Sequence, residues 1–390
     1  SVKSRGLGDV YKRQVKMSIE YFQRRQHILI DKLAKENLDG MIVTNLTHIR
    51  YLCGFTGSSA TLLITADQVH FITDGRYVVQ SEKEVKGAKV IIDSISHYEV
   101  IKKQNLLTSS QSIGFDGNNV SHQGYQQLSK VLSDINLKNI TGIIEKMAML
   151  KDEKELEAIR TAVEITDKAF AEVLPMVKIG VEEKVIANQL SFLYRKYGDS
   201  DSDAFAAIVG TGPNSAKPHH KPTDRKIGPG ELIVIDSGAK FAGYHADMTR
   251  SFATKGYSDE QKSIYDIVLN AQVKSIEGIK SGMSCKSIDS IARDHIANAG
   301  YSKFFDHGLG HSLGLEIHED PRFSKVSEDV LEENYVMTVE PGIYVPDIGG
   351  VRIEDDIIVT KNGAEILNKT SKEFQVCLLY TSDAADDPTC

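Results

Sequence analysis

Apolar positions recur at helical spacing near the start of the chain. In SIEYFQRRQHILIDKLAKENLDG, Tyr21, Ile28, Leu29 and Leu33 mark one face of a helix that ends before Asp39-Gly40. The runs DGMIVTN, TLLIT, VHFIT, AKVIID and SIGFDG are short, apolar and bounded by turn residues, so they read as strands. A helical stretch, SHQGYQQLSKVLSD, follows the last of them. This alternation predicts an α/β domain with a mixed sheet over residues 17–146.

A second pattern opens at KDEKELEAIRTAVEITDKAFAEVLPMV. Its acidic first turn and the repeat Leu156, Ile159, Ala162, Val163, Ile165, Ala169 predict a long helix and the start of a second domain, residues 147–376. Further helices are expected near 181–197, 259–281 and 284–300, and strands in ELIVIDSGAKF, GYHADMTRSF, NYVMTVEPGIYV and GVRIEDDIIVT. Two segments share one plan: IVIDSGAKFAGYHADMTRSF and MTVEPGIYVPDIGGVRIEDDIIV. In each, an apolar strand ends in acid-x-Gly, a turn follows, and a second strand carries another acid. Asp236 and Asp247 are eleven apart, and Glu340 and Glu354 fourteen. A duplicated hairpin would gather these four carboxylates around one pseudo-symmetric point.

Length and charge narrow the reading. A chain of 390 residues suits two domains, and no apolar run approaches a membrane span. The net charge of −8 is mixed along the chain without a basic block, which argues against nucleic acid as a partner. Cys53, Cys285, Cys377 and Cys390 form no CxxC and no close pair, so no disulfide framework is expected and a reducing compartment fits. The ends read as foreign. DVYKRQ, near the start, and CLLYTS, near the end, can be written as two readings of one short DNA segment, which resembles a sequencing adapter. Residues 1–16 and 377–390 are therefore expected to be non-native tails, with Met17 as the natural start. MSIEYFQRRQ has no apolar signal region, so a cytoplasmic location is expected.

The stretch HGLGHSLGLEIHE, residues 307–319, holds three histidines and admits three readings. GHSLG fits the serine-hydrolase pattern GxSxG, but no apolar strand precedes Ser312, no helix pattern follows it, and only His318 lies downstream. His307 and His311 are four apart, but HExxH is absent and Gly308 and Gly310 disfavour a helix. The third reading joins His311 to Asp236, Asp247, Glu340 and Glu354. One imidazole and four carboxylates form a hard, oxygen-rich set suited to a pair of divalent cations. Each acid sits in or beside an apolar strand, where a carboxylate needs compensation, and only Arg250 and Arg352 lie close in sequence.

Together IDSGAKFAGYHADMTR, HGLGHSLGLEIHE, VEPGIY and VRIEDD resemble the pita-bread metallopeptidases, over essentially the whole of residues 17–376. The resemblance implies a creatinase-like N-terminal α/β domain and a pita-bread catalytic domain of two pseudo-symmetric α+β halves. It also implies a dinuclear site. Asp247 and Glu354 would bridge two ions, Asp236 would serve one, and His311 and Glu340 the other. Manganese is the expected metal, with zinc or cobalt as alternatives. His219, His307, His318 and Tyr344 correspond to substrate-side residues, and Arg352 to an arginine that orients a ligand carboxylate. His220 and His245 read as structural.

The segment FTGSSATLLIT followed by TDGRY resembles the N-terminal domain of Xaa-Pro aminopeptidases more than that of prolidases. The implied reaction is removal of the first residue from peptides with proline second, by a hydroxide bridging two metals. His219 or His318 would bond the developing oxyanion, and Glu340 would pass a proton to the proline nitrogen. Xaa-Pro dipeptide hydrolysis is the alternative. A non-catalytic binding module of this fold would be expected to lack some of the five ligands. A homodimer is expected by analogy.

Overall fold

The computed structural model describes residues 18–198 and 203–377. The chain divides into two compact units between Ala148 and Met149. The predicted tails fall outside the described residues, save Cys377.

The N-terminal unit runs α1 (Ile19–Lys35), β1 (Gly40–Val43), α2 (Leu46–Cys53), β2 (Thr61–Thr65), β3 (Val69–Thr73), α3 (Val78–Glu84), β4 (Lys89–Ile92), α4 (His97–Lys103), β5 (Ser112–Phe115), α5 (His122–Val131), β6 (Asn136–Asn139) and α6 (Ile143–Met149). Its sheet has the order β4-β3-β2-β1-β5-β6. β1 pairs antiparallel with β2 and parallel with β5, so the sheet is mixed as predicted. Ile42, Leu63, Ile72, Val100, Ile113 and Leu128 fill its core.

Two details differ from the sequence pattern. Ile28 is exposed, and α1 instead buries Phe22, Arg25, Gln26, Leu29 and Leu33. The two polar residues are usable there because Arg25 donates to the Tyr51 carbonyl (2.9 Å) and stacks on its ring, while Gln26 donates to the Leu52 carbonyl (2.9 Å). β6, the polar stretch NLKN, carries no apolar signal. It is held by parallel pairing of Ile113 with Leu137 at the sheet edge.

The C-terminal unit opens with α7 (Glu153–Val173) and α8 (Glu183–Tyr197). A capping box between Asp152 and Glu155 starts α7 and satisfies its first amides. Then come β7 (Ile208–Thr211), β8 (Leu232–Ser237), β9 (Lys240–Phe241), β10 (Tyr244–His245) and β11 (Met248–Thr254). Helices α9 (Asp259–Gly278) and α10 (Cys285–Asn298) follow. The last strands are β12 (Gly310–Ser312), β13 (Glu319–Phe323), β14 (Val336–Val339), β15 (Gly342–Val345), β16 (Gly349–Arg352), β17 (Asp355–Val359), β18 (Ala364–Ile366) and β19 (Val376–Cys377).

The strands form a four-stranded sheet, β19-β11-β8-β7, and a five-stranded sheet, β13-β12-β14-β17-β18. Each has its own apolar core. α7 and α8 pack on the first through Phe170, Ile186, Leu190 and Ile235, and α9 and α10 pack on the second through Ile264, Val268, Ile288 and Met337. The predicted internal repeat is visible in the topology. β8 and β11 pair antiparallel with the ribbon β9–β10 between them, and β14 and β17 pair antiparallel with the longer ribbon β15–β16 between them. The longer second ribbon accounts for the wider spacing of the second acid pair. No helix among the described residues is long and apolar enough to cross a membrane.

Candidate metal centre

The repeated strand–ribbon–strand unit places the acids. Asp236 lies near the end of β8 and Asp247 immediately before β11; Glu340 lies immediately after β14 and Glu354 immediately before β17. Because each strand pair is antiparallel, with Ser237 opposite Met248 and Val339 opposite Asp355, both acids of a pair sit at the end from which the ribbon departs. Ligand atoms of Asp247, His311 and Glu354 lie within 4.8 Å of one another. His311 comes from β12, the neighbour of β14, and its Nε2 is 3.4 Å from Glu340 Oε1 and 3.8 Å from Asp247 Oδ2. The structure therefore brings all five predicted ligands to one place, with Asp236 reached through Arg352.

The ring of His311 is held in the orientation a metal ligand would need. Its Nδ1 donates to the Ser312 carbonyl (3.0 Å), which leaves the Nε2 lone pair facing the carboxylates. Burial, then the nearby His318, lowers its pKa to about 3, so the ring is neutral at ordinary pH.

Arg352 organises the other side. It donates from Nη2 to Asp236 Oδ2 (2.5 Å), from Nη1 to the Tyr344 hydroxyl (2.7 Å) and from Nε to Thr249 Oγ1 (3.0 Å). The Thr249 hydroxyl in turn donates to Glu354 Oε2 (2.6 Å). The Tyr344 hydroxyl is 3.1 Å from His307 Nε2, which must accept because His307 Nδ1 donates to the Gly308 carbonyl (2.7 Å). Arg250, the other arginine close in sequence, bonds none of the four side-chain carboxylates: it donates to Asp355 Oδ1 (2.7 Å), to the Thr370 carbonyl (2.8 Å) and to the backbone carbonyls of Thr249 and Glu354.

The electrostatics of this pocket call for cations. Asp236 Oδ1, Asp247 Oδ1 and Glu354 Oε1 are buried with no hydrogen-bond partner. Burial, followed by repulsion from Glu354 and Asp236, pushes the Asp247 carboxyl well above the ordinary range. Burial and repulsion from Glu340 and Asp236 do the same to Glu354. Burial raises Glu340 to about 8 despite Arg352. Four carboxylates facing one guanidinium are undercompensated, and a hard oxygen-rich donor set with an imidazole fits divalent cations.

Residues 157–361 match metallopeptidase family M24, more than half of the chain, and residues 25–150 match the Creatinase/Prolidase N-terminal domain. The chain belongs to metallopeptidase family M24. It is 35% identical to the Xaa-Pro dipeptidase of Pyrococcus horikoshii, over 89% of this chain and 97% of that one. Among solved structures it is similar to the Xaa-Pro dipeptidase from Bacillus anthracis, with TM-score 0.88 and 36% identity over 91% of this chain and 99% of that one. It is also similar to the X-Pro aminopeptidase from Thermotoga maritima, with TM-score 0.83 and 36% identity over 90% and 99%.

In this M24 peptidase the remaining histidines take distinct places. His318 is exposed, and its ring centre stands 4.5 Å from that of His311. His307 is partly buried against Tyr344, with ring centres 5.6 Å apart. His219 is exposed on the segment after β7, near enough to contribute to the lowered pKa values of both His307 and His318, where burial and a neighbouring arginine act first. His220 and His245 are buried: His220 Nε2 is 2.9 Å from Glu183, and His245 Nδ1 is 3.0 Å from the Gly314 carbonyl. Ser312 is fully buried inside β12, not raised on a strand-to-helix turn, so the GxSxG match has no nucleophile geometry.

The sequence reading missed Thr249, Thr338 and Asp356. The Thr338 hydroxyl accepts from the His311 amide (3.1 Å), and Asp356 Oδ2 accepts from the Asp247 amide (2.9 Å). Thr249 and Thr338 are each two residues from an acid, so strand alternation would have put them on the same face. A second grouping of His48, Asp116 and Glu145 lies in the N-terminal unit. There Nδ1 is 3.9 Å from Asp116 and Nε2 3.9 Å from Glu145, so each ring nitrogen faces a different acid, and Asp116 already accepts from Asn118 and Asn119.

Proposed function

We propose that this M24 peptidase hydrolyses the Xaa-Pro bond of dipeptides, using two divalent cations held by Asp236, Asp247, His311, Glu340 and Glu354. The grouping of Asp247, His311 and Glu354, with Glu340 3.4 Å from His311 and Asp236, its Oδ1 unpartnered, repelling Asp247, carries the reading. The dipeptide preference rests on similarity to proteins named Xaa-Pro dipeptidase across almost their whole length. A second reading, release of the first residue from longer peptides with proline second, is favoured by the FTGSSATLLIT and TDGRY segments and by the likeness to an X-Pro aminopeptidase.

Asp236, Asp247, His311, Glu340 and Glu354 would together hold the two ions, with Asp247 and Glu354 central among them. Manganese suits the oxygen-rich set, and zinc or cobalt are the alternatives. Bound cations supply Lewis-acid charge and lower the pKa of water to the neutral range. The protein's own groups do the rest. Arg352 fixes Asp236, Thr249 fixes Glu354, and the Ser312 carbonyl fixes the ring of His311. His219 and His318, exposed beside the site, hydrogen-bond the substrate's peptide group and its developing oxyanion. His307 and Tyr344 close the pocket on the substrate side. Glu340 would carry a proton to the proline nitrogen. The bond before proline is a tertiary amide without an N–H, so binding must come from the carbonyl and from the chain ends.

A chain-length series tests the reading. Purified protein with added manganese is assayed on Xaa-Pro and on Xaa-Pro-Yaa peptides. Turnover confined to dipeptides supports the first reading, turnover confined to longer peptides moves the assignment to the aminopeptidase, and turnover of neither removes both.

A further inference from the structure

Glu183 opens α8 and is fully buried. Its Oε1 accepts from the Thr211 amide (2.9 Å), the Thr211 hydroxyl (2.9 Å) and Asn214 Nδ2 (2.9 Å). Its Oε2 accepts from the Thr223 amide (3.0 Å) and the Thr223 hydroxyl (2.7 Å), and lies 2.9 Å from His220 Nε2. Burial alone would raise its pKa, but the bonds from Asn214, Thr223 and His220 bring it down to about 2, so the group is a carboxylate and His220 Nε2–H donates to it. No lysine or arginine salt-bridges it among the described residues; its charge is held by converging donors.

These donors come from both ends of the segment 211–223. Its middle faces the metal centre. The Ser215 hydroxyl accepts from the Gly350 amide (2.9 Å), the Pro218 carbonyl accepts from Arg352 Nη1 (3.3 Å), and His219 follows directly. The segment is thus clamped from behind by one carboxylate and rests in front on β16, whose Arg352 orders Asp236.

We propose that Glu183 is the positioning residue for the substrate side of the site: it sets the 211–223 segment so that Pro218 and His219 meet a bound peptide. This rests on the peptidase reading above. The requirement is for a carboxylate specifically. Glutamine has the same shape, but its amide turns an NH2 toward one set of donors. Each oxygen of Glu183 serves a backbone N–H that cannot become an acceptor, so whichever way the amide turns, the Thr211 or the Thr223 amide is left unmet.

The test is a double-mutant cycle of Glu183→Gln with His219→Ala, on the full chain with bound manganese. Glu183→Gln is expected to keep the wild-type metal content while lowering kcat/KM about tenfold or more. In the His219→Ala background the same change is expected to cost less than about threefold, because coupled residues are not additive. Equal losses in both backgrounds, or a loss of metal in Glu183→Gln, overturn the proposal. If Glu183→Gln does not fold, Thr223→Val, which removes one donor and keeps the charge, takes its place in the cycle with the same criterion. Absence of turnover by the wild type sinks the peptidase reading instead. The positioning role is then read by histidine-ring NMR: the His219 signal is expected to shift in Glu183→Gln, and an unchanged signal overturns it.

Discussion

Arg352 Nη2 stands 2.5 Å from Asp236 Oδ2, and the same guanidinium bonds Tyr344 and Thr249, so one side chain reaches Asp236 directly and Glu354 through the Thr249 hydroxyl. Asp236 belongs to the first strand–ribbon–strand unit, and Arg352 and Glu354 to the second. The planar guanidinium spreads its donors over Asp236, Tyr344, Thr249 and the Pro218 carbonyl, a span that a single ammonium point cannot cover. Arg352→Lys is therefore expected to keep the charge and lose the geometry. Metal affinity should fall about 10–100-fold, with kcat/KM falling at least as far. Calorimetric titration of manganese into the metal-free variant checks this, and wild-type affinity would show that Arg352 does not hold Asp236 for the metal.

Thr249 is a smaller version of the same device. Its hydroxyl donates to Glu354 and accepts from Arg352. Thr249→Val keeps the shape and removes both bonds, and about a 10–100-fold loss in metal affinity or activity is expected from such a change beside a ligand. Thr249→Ser should retain activity within about threefold, because the hydrogen-bonding group is the same. Equal damage from the two variants would point to lost packing of the methyl group.

Gly238 sits two residues after Asp236, where the chain leaves β8 for the ribbon. A Cβ there would lie 1.7 Å from the Ala246 carbonyl oxygen. Ala246 immediately precedes Asp247, so Gly238→Ala forces a backbone shift next to that acid. Overpacking costs about 1–3 kcal/mol as a rule, and this contact is with backbone, which cannot turn aside. A lower Tm together with loss of bound manganese is expected. A variant with both at wild-type levels would mean that the ribbon yields without moving Asp247.

Much of this arrangement was legible in the chain. The 2-residue and 3.6-residue periods located the strands and helices around the site, and the acid-x-Gly plan exposed the repeat that gathers the four acids. What stayed hidden was whatever depends on a distant partner. Arg25 and Gln26 are polar, and nothing local shows that the Tyr51 and Leu52 carbonyls wait for them. β6 has no apolar pattern because pairing with β5, not burial, makes it a strand. Glu183 looks like any acid in the first turn of a helix until the folded chain returns Thr211 and Thr223 to it. Thr249 and Thr338 were within reach, since each shares a strand face with an acid already singled out.

The metal-free protein should carry two opposite pH limbs. Glu340 has a folded pKa of about 8 against an ordinary 4.5. A raised carboxyl contributes stability that is complete below 4.5 and is lost as pH climbs toward 8, because the folded state binds the extra proton. Asp247 and Glu354 are displaced in the same direction. Glu183 is displaced the other way, to about 2 from 4.5, so its contribution is present above 4.5 and is lost as pH falls toward 2. Chelated protein should therefore melt at progressively lower temperature from pH 4.5 up to 8. Glu340→Gln should flatten that upper limb, and Glu183→Gln should weaken the acid limb. Added manganese should restore stability mainly at the alkaline end, where the carboxylates are charged, by about 2.7 kcal/mol at a hundredfold excess over Kd. Melting curves of chelated and manganese-loaded protein across this range decide the matter. A chelated wild type whose Tm is constant or rises between pH 4.5 and 8 would show that the four carboxylates are not undercompensated, and the case for cations in this pocket would fall with it.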